Sequence, residues 1–569
     1  MHCCLKHFGM KLLQNAITTS WVLMGTLMII LPEYAPAAPV SPDRAGKVAF
    51  AWARSSQQHL GKRMNRTIQQ VKTFPDASGE SMFHVILLDG GGFVVVPADD
   101  EVEPIIAFSS NGTLEEDPEN PLWSMVSQDV PSRIGATRSS SKRTLQTGPS
   151  ERQEKNRKKW QRFENLTDRQ SLDYSNAPKI TMGTPDINDE RVSPLVTSYW
   201  GQGDVGTPLE PCYNYYTPKN YVSGCTATAM AQIIRYWQHP TSGIGVHKYV
   251  IGVDGVEQSA YTRGGDGAGG PYDWSLMPLI LNPNVPIPEA ERQMIGALLY
   301  DCGVSLETNY SQDGSGAYSH YPAEKLKDVF GYANAIFYSQ DSELTTGGLL
   351  NRIVNPNLDM GCPTILSIRN DKDEGHAVLA DGYGYNSSTL YHHINMGWGG
   401  SQDAWYNLPN VDDSTYNFSI VSGATYNIFV SGTGEIISGR VLNHDGTPAQ
   451  GINVTATSTS GSWSDATNER GIYAIKVPVP VDLPVPDATE SYSVSCAGAA
   501  APLSVQVGES SSWGFCGNVW GADLSLKNTA PSLNPIGNIT IQAGQTITFT
   551  IDATDPDPAQ TLTFSASGR

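Results

Sequence analysis

The chain has 569 residues, 39% of them hydrophobic and 17% charged, with 55 Gly and 37 Pro. That length exceeds one ordinary domain, and the composition is globular and rich in turns and strands rather than long helical bundles. A formal charge of -20 argues against nucleic acid or an anionic lipid surface as the main partner, because holding phosphates takes clustered Lys and Arg.

Residues 1–38 are expected to be an export signal. Lys6 and Lys11 precede an apolar run to Leu31, and small residues suit cleavage near Ala37 or Ala38. The run is shorter than the ~20 residues of a spanning helix, with an uncleaved anchor as the alternative; no second stretch would cross a bilayer once the signal is removed. The expected location is secreted or extracytoplasmic, cell-surface association included. Cys3 and Cys4 leave with the signal, and the six remaining cysteines are too few for a disulfide scaffold. Cys496 and Cys516, both in a β-like region, are expected to pair. The pairing of Cys212, Cys302 and Cys362 stays open, and a free Cys225 would leave another cysteine free as well.

Residues 39–130 open with a helix ("AGKVAFAWARSSQQHL") and continue into two β-rich runs around Gly90, Gly91 and Gly92, which read as a hairpin. Residues 131–190 carry few apolar positions and read as a linker open to proteolytic cleavage. The run "ERQEKNRKKWQR" within it carries both signs and reads as a solvated face. From 191 to 432 aromatic, Gly-rich segments alternate with helices over 225–238 and 289–301 and strands such as "HAVLADGYGY", an α+β domain. Residues 433–527 alternate apolar and polar positions between turn signals, as in a small all-β sandwich. Residues 528–569 start a second such module, too short to close a sandwich of ~100 residues.

In "GCTATAMAQIIRYW" the residues Met230, Ile233, Ile234 and Trp237 form one apolar face, and Pro240 ends the helix. Cys225 falls at its N-terminus, where unpaired N–H groups and the helix dipole favour a thiolate. A lone cysteine there is ordinarily core. A nucleophilic thiol needs an imidazole to carry its proton and an acceptor to orient that ring. Downstream, His376 begins an apolar strand and Asn395 ends the next; the turn "GYNSS" between them brings those ends together. His392 and His393 are the rival imidazoles, mid-strand on opposite faces. Gln202, in the Gly-flanked loop "YWGQGDVG", offers an uncharged donor to an oxyanion.

The segments "YWGQG", "GCTATAMAQIIRYW", "GHAVLADGY" and "HINMGWGG" resemble streptopain-type secreted cysteine proteases of the papain superfamily, and "GFVVVPADDEVEPIIAFSSNGTLEEDPENP" resembles their inhibitory propeptide. The resemblance implies a papain-like domain behind an α+β propeptide. It implies Cys225 as nucleophile, His376 as general base and acid, Gln202 as oxyanion donor, and Asn395 with Trp398 as the orienting and shielding pair. Gly314, Ser315, Gly316 and Ala317 would line the cleft. Met396 stands where the family usually has Trp and would form its wall. It further implies a zymogen blocked by its own propeptide, cleaved in the linker, acting on protein or peptide substrates without a cofactor. The sandwich resembles carboxypeptidase regulatory-like modules that serve as spacers or binding units; Asp552, Asp555 and Asp557 resemble the calcium positions of cadherin-like repeats, though acidic turns are more often merely solvated.

Three other functions fit parts of the pattern. A cell-wall amidase or transglutaminase-like acyl transferase would share the Cys–His chemistry but calls for wall-binding repeats or an acceptor cleft, and neither is evident. A catalytically decayed adhesin is at odds with the retained Cys, His, Gln and Asn. A metal enzyme lacks any HExxH or CxxC spacing.

Overall fold

The computed structural model describes residues 39–118, 120–144, 150–168, 187–339, 348–369, 375–408, 420–478, 489–510, 516–555 and 562–565. All of them fall in one compact unit, Ala37–Arg569. The expected export signal at 1–38 lies outside the described residues. No described helix is long and apolar enough to cross a membrane.

The first helix, Pro42–Ser55, starts where three local signals agree: the Ser41 side chain accepts from the Arg44 N–H at 3.2 Å, Pro42 opens the first turn and Asp43 lies within it. It buries Val48, Ala49 and Trp52. The strands Ile68–Pro75, Ser81–Leu88 and Phe93–Pro97 then form an antiparallel meander, with the expected hairpin pairing Leu87 with Phe93. The next strand, Ala107–Ser109, pairs on its far side with Ala404–Tyr406. Through that pairing the N-terminal strands and the later domain share one 11-stranded sheet, continuing through Thr389–Asn395, Gly375–Asn386, Thr364–Arg369, Val421–Phe429 and Asn334–Ser339.

The expected linker is structured over much of its length. Residues Pro121–Thr144 and Glu151–Asp168 are helices. The apolar content is low because charged side chains are buried in pairs instead. Arg133 binds Asp129 at 2.6 Å, Lys159 binds Glu103 at 2.9 Å and the Thr389 hydroxyl, and Arg157 binds Glu101. Trp160 and Phe163, inside the run read as solvated, fill a core with Trp52 and Phe108. Residues 169–186 of the expected linker lie outside the described residues.

Further along the sheet, Cys225–Trp237 packs with Glu289–Ser305 around Met230, Ile233, Ile234, Leu298 and Leu299. The C-terminal region has two sheets over one core. Ile472–Val477, Glu435–Leu442 and Leu524–Ser525 make the first; Gly461–Ala466, Asn453–Ser458, Thr489–Cys496 and Leu503–Gly508 make the second. This module is no loose spacer. Arg352 donates to the carbonyls of Cys516 (2.6 Å) and Asn518 (3.2 Å), and Asn427 donates to Glu435 at 3.0 Å while accepting from Asn518 at 2.9 Å. Arg440 also reaches Asp189 at 2.7 Å, on the strand Asp189–Val192 that borders Gly375–Asn386.

The expected Cys496–Cys516 pair is not formed, and all six described cysteines are free thiols. Cys516 is buried against Arg352 of the neighbouring domain, with its Sγ 3.7 Å from that carbonyl, whereas Cys496 ends a strand of the outer sheet. Among the described residues no group of three or more His, Cys, Asp or Glu could hold a metal ion. Of the calcium candidates, Asp552 accepts from the Asn534 amide at 2.6 Å, and Asp557 lies outside the described residues.

Candidate active site

The nucleophile candidate is mounted by glycine. Gly224 takes φ 89°, and a Cβ there would come within 2.8 Å of the Ser315 carbonyl oxygen. Glycine therefore lets the strand Gly314–Gly316 close against the start of the helix. The Gly224 carbonyl accepts from the Thr228 N–H and hydroxyl, both at 3.0 Å, which begins the helix at Cys225. Thr226 donates to the Ala317 carbonyl at 3.5 Å, so Ala317, like Ser315, lies beside the first turn of the Cys225 helix. Gly314 has open space where a Cβ would be, as does Gly316.

His376 reaches the thiol from the second residue of Gly375–Asn386, where it pairs with Ile368. Burial alone would raise the Cys225 pKa. The hydrogen bond and charge of His376, then the Ala377 N–H and the Thr226 hydroxyl, outweigh it and leave the thiol below its ordinary value. The other described thiols go the opposite way: burial pushes Cys212, Cys362 and Cys516 up to about 12, Cys302 well up, and Cys496 up. Cys225 is the one described cysteine whose surroundings favour the thiolate.

Gln202 lies in a half-buried loop stitched to the nucleophile's approach, its carbonyl accepting from the Ser223 N–H at 2.9 Å. Only Gly224 lies between Ser223 and Cys225, so this loop is tied to the helix N-terminus. Trp398 is half-buried in the turn after Asn395, its carbonyl accepting from the Ser401 hydroxyl at 3.0 Å.

Two expectations are corrected. Asn395 does not engage the imidazole. Its side-chain oxygen accepts from Gln232 and from the Gly397 N–H, both at 3.0 Å, and its amide donates to the Ser198 carbonyl at 3.1 Å. The reason is register: Asn395 pairs with Leu379, three residues along the strand from His376. Met396 does not wall an open cleft either. It is fully buried in the core shared with Phe93 and Tyr406, and its N–H donates to Asp403 at 2.9 Å.

The rival histidines are occupied elsewhere. His392 bonds Asn355 at 2.7 Å, and burial pushes its pKa down to about 3. His393 bonds Asp381 at 2.6 Å. Gln232 was not foreseen. It is a polar residue on the Cys225 helix, seven positions after the cysteine and fully buried, and that placement among Met230, Ile233 and Ile234 was the available signal.

A thiol at a helix N-terminus, held below its ordinary value by a neighbouring imidazole and with a glutamine loop alongside, is equipped for acyl transfer through a thioester. Residues 208–406 match the Peptidase C10 family, and residues 37–134 match the Spi protease inhibitor. Streptopain of Streptococcus pyogenes is 23% identical over 423 residues, 72% of this chain and 94% of that protein. The thiol protease/hemagglutinin PrtT of Porphyromonas gingivalis is 28% identical over 209 residues, 37% of this chain and 23% of that one. Among solved structures, a fragment of prointerpain A of Prevotella intermedia is 24% identical, covering 64% of this chain and 99% of that one with a TM-score of 0.43. Active interpain A from the same organism is 29% identical over 43% and 98%, with a TM-score of 0.34. The chain is thus a cysteine endopeptidase whose residues 208–406 match the Peptidase C10 family, behind an inhibitor-type propeptide domain matched at residues 37–134.

Proposed function

We propose that Cys225 is the nucleophile and His376 the general base and acid of an exported endopeptidase held latent by its own residues 39–168. The placement that carries this is Cys225 as first residue of its helix and His376 on the adjoining strand, where the imidazole draws the thiol down against the effect of burial. The thiolate Sγ attacks the scissile carbonyl carbon. The resulting oxyanion is held by the Cys225 backbone N–H and the Gln202 side-chain amide. Collapse breaks the C–N bond, and the His376 imidazolium gives its proton to the leaving amine. Water then attacks the thioester carbon while His376 takes one of its protons, and the peptide acid leaves as the thiol is restored. Trp398 shields the imidazole, and 314–317 bind the peptide.

Latency is supported by where the inhibitor domain docks. Its strand Ala107–Ser109 caps the catalytic sheet, and the Ser109 hydroxyl donates to the Asp403 carbonyl at 2.8 Å. Gly112 lies against Ser401, where a Cβ would collide with the carbonyl oxygen. Both contacts fall on the turn that carries Trp398. Cleavage between the helix Glu151–Asp168 and the strand Asp189–Val192 would free the protease domain. The test is expression of the full chain and of Cys225→Ala. The wild type should shorten itself and digest casein, and the variant should remain full-length and inert; casein digestion by the variant would overturn the assignment.

A further inference from the structure

We infer that Gln232 and Asn395 form a buried amide lock that sets the spacing between Cys225 and His376, making both of them positioning residues for peptide hydrolysis. The two side chains face each other reciprocally. Gln232 Nε2 donates to Asn395 Oδ1 at 3.0 Å, and Asn395 Nδ2 approaches Gln232 Oε1 at 3.4 Å. Gln232 Oε1 also accepts from the Ser198 hydroxyl at 3.0 Å and the Trp200 N–H at 3.4 Å. Gln232 is 0% exposed and Asn395 1%. One pair thus joins the nucleophile helix, the loop that leads into Gln202, and the hairpin that carries His376 and Trp398.

The lock lies in register with the chemistry. Seven residues separate Cys225 from Gln232, about 20° short of two full turns, so both lie on one helix face about 10.5 Å apart. Along the sheet, His376 and Leu379, the partner of Asn395, are three residues or about 10 Å apart. The helix therefore meets the hairpin at two levels of similar spacing, with Asn395 beside Leu379 on the helix-facing side and His376 at the start of the strand, where alternation alone would turn its side chain to the other side. Cys225 with His376 is the reactive level, and Gln232 with Asn395 is the fixed one. Sliding or tilting the helix along the hairpin would break buried amide bonds that have no water to replace them, so it is resisted. A shift near 1 Å between reacting groups is enough to cost on the order of 100-fold in rate.

This inference rests on Cys225 being the nucleophile, which epoxide labelling of the wild type at Cys225 checks separately. The experiment uses full-length chain matured by added protease and compares Gln232→Asn, Asn395→Gln, the double exchange Gln232→Asn with Asn395→Gln, and the near-isosteric Gln232→Met. Either single exchange and Gln232→Met should lower kcat about 10- to 100-fold with KM within about threefold. The acid limb of kcat/KM should move up in pH as the imidazole loses its hold on the thiolate. The double exchange keeps two complementary amides and should recover kcat to within about threefold of the wild type. A folded Gln232→Met with wild-type kcat and acid limb would overturn the lock, as would a double exchange no better than the product of the single losses.

Discussion

Replacing Arg133 by Met should unlatch the inhibitor domain. Arg133 is 2% exposed on the helix Pro121–Thr144 and pairs with Asp129 at 2.6 Å. Its Nη1 donates to the Asn407 side chain at 2.7 Å and its Nη2 to the Asn407 carbonyl at 2.5 Å, while Asp129 accepts from the Tyr406 hydroxyl at 2.7 Å. Asn407 and Tyr406 belong to the catalytic side of the shared sheet. Breaking a buried pair by removing one partner costs about 3–5 kcal/mol, because the other charge is stranded. Part of that falls on the helix itself, since the two residues are one turn apart. The bonds to Asn407 cross the interface, and charged hydrogen bonds are worth about 1.5–3 kcal/mol each. A docking loss near 3 kcal/mol corresponds to about 100-fold in the docked-to-undocked ratio. The assay is latent casein hydrolysis by the full-length zymogen, with thermal unfolding as the check on folding. Latent activity should rise at least about tenfold, and Asn407→Ala should raise it less because it leaves the Arg133–Asp129 pair intact. A folded Arg133→Met zymogen as silent as the wild type would refute the reasoning.

At the C-terminal interface, burial raises Glu435 from 4.5 to about 7 despite its bonds from Ser510 and Asn427, and raises Asp359 to about 7. Between the unfolded value and about 7 the folded protein keeps protons that the unfolded chain has released, so stability is highest below that window and falls as pH rises through it, by on the order of 3 kcal/mol for Glu435. Glu435→Gln should flatten that fall in thermal midpoint measured between about pH 4 and pH 8, with the residual slope left to Asp359; an unchanged slope would contradict it. Arg440 and Arg470 hold Asp189 and Glu190 at 2.7 and 3.4 Å. Replacing both by Ala should speed hydrogen exchange at residues 189–192 in the mature enzyme and lower its stability by about 1–2 kcal/mol; unaltered exchange there would show that the module does not clamp this strand.

The placement of Cys225 and His376 was legible in the sequence because its signals are local. Gly224 before an apolar-faced helix places Cys225 at a helix N-terminus, and the alternation after Gly375 places His376 at the start of a strand. The hairpin around Gly90–Gly92 and the helix Glu289–Ser305 were legible for the same reason. What was not legible depends on partners far away in sequence. The helices over 131–168 looked like linker because their burial is carried by ion pairs to Glu101, Glu103 and Asp129 as much as by apolar side chains. Asn395 looked like an imidazole partner from chain order, but its register opposite Leu379 turns it toward Gln232, 163 residues away. Met396 looked like a cleft wall by analogy with the family, and the core around it claims it. Cys496 and Cys516 looked paired by proximity in sequence, yet one belongs to the outer sheet and the other to the interface with the catalytic domain.

The measurement that tests the account most directly is the pH dependence of iodoacetamide alkylation, mapped cysteine by cysteine in the matured enzyme by mass spectrometry. Alkylation needs the thiolate, so a lowered thiol reacts at lower pH and a raised one is silent there. Near pH 6, Cys225 should be modified at least about 100-fold faster than Cys212, Cys302, Cys362, Cys496 and Cys516, with loss of casein hydrolysis tracking that one site, and His376→Ala should carry its reactivity up toward the ordinary thiol range of about 8.5. Alkylation of Cys225 only at the pH of an ordinary thiol, or activity that survives its complete modification, would contradict the account.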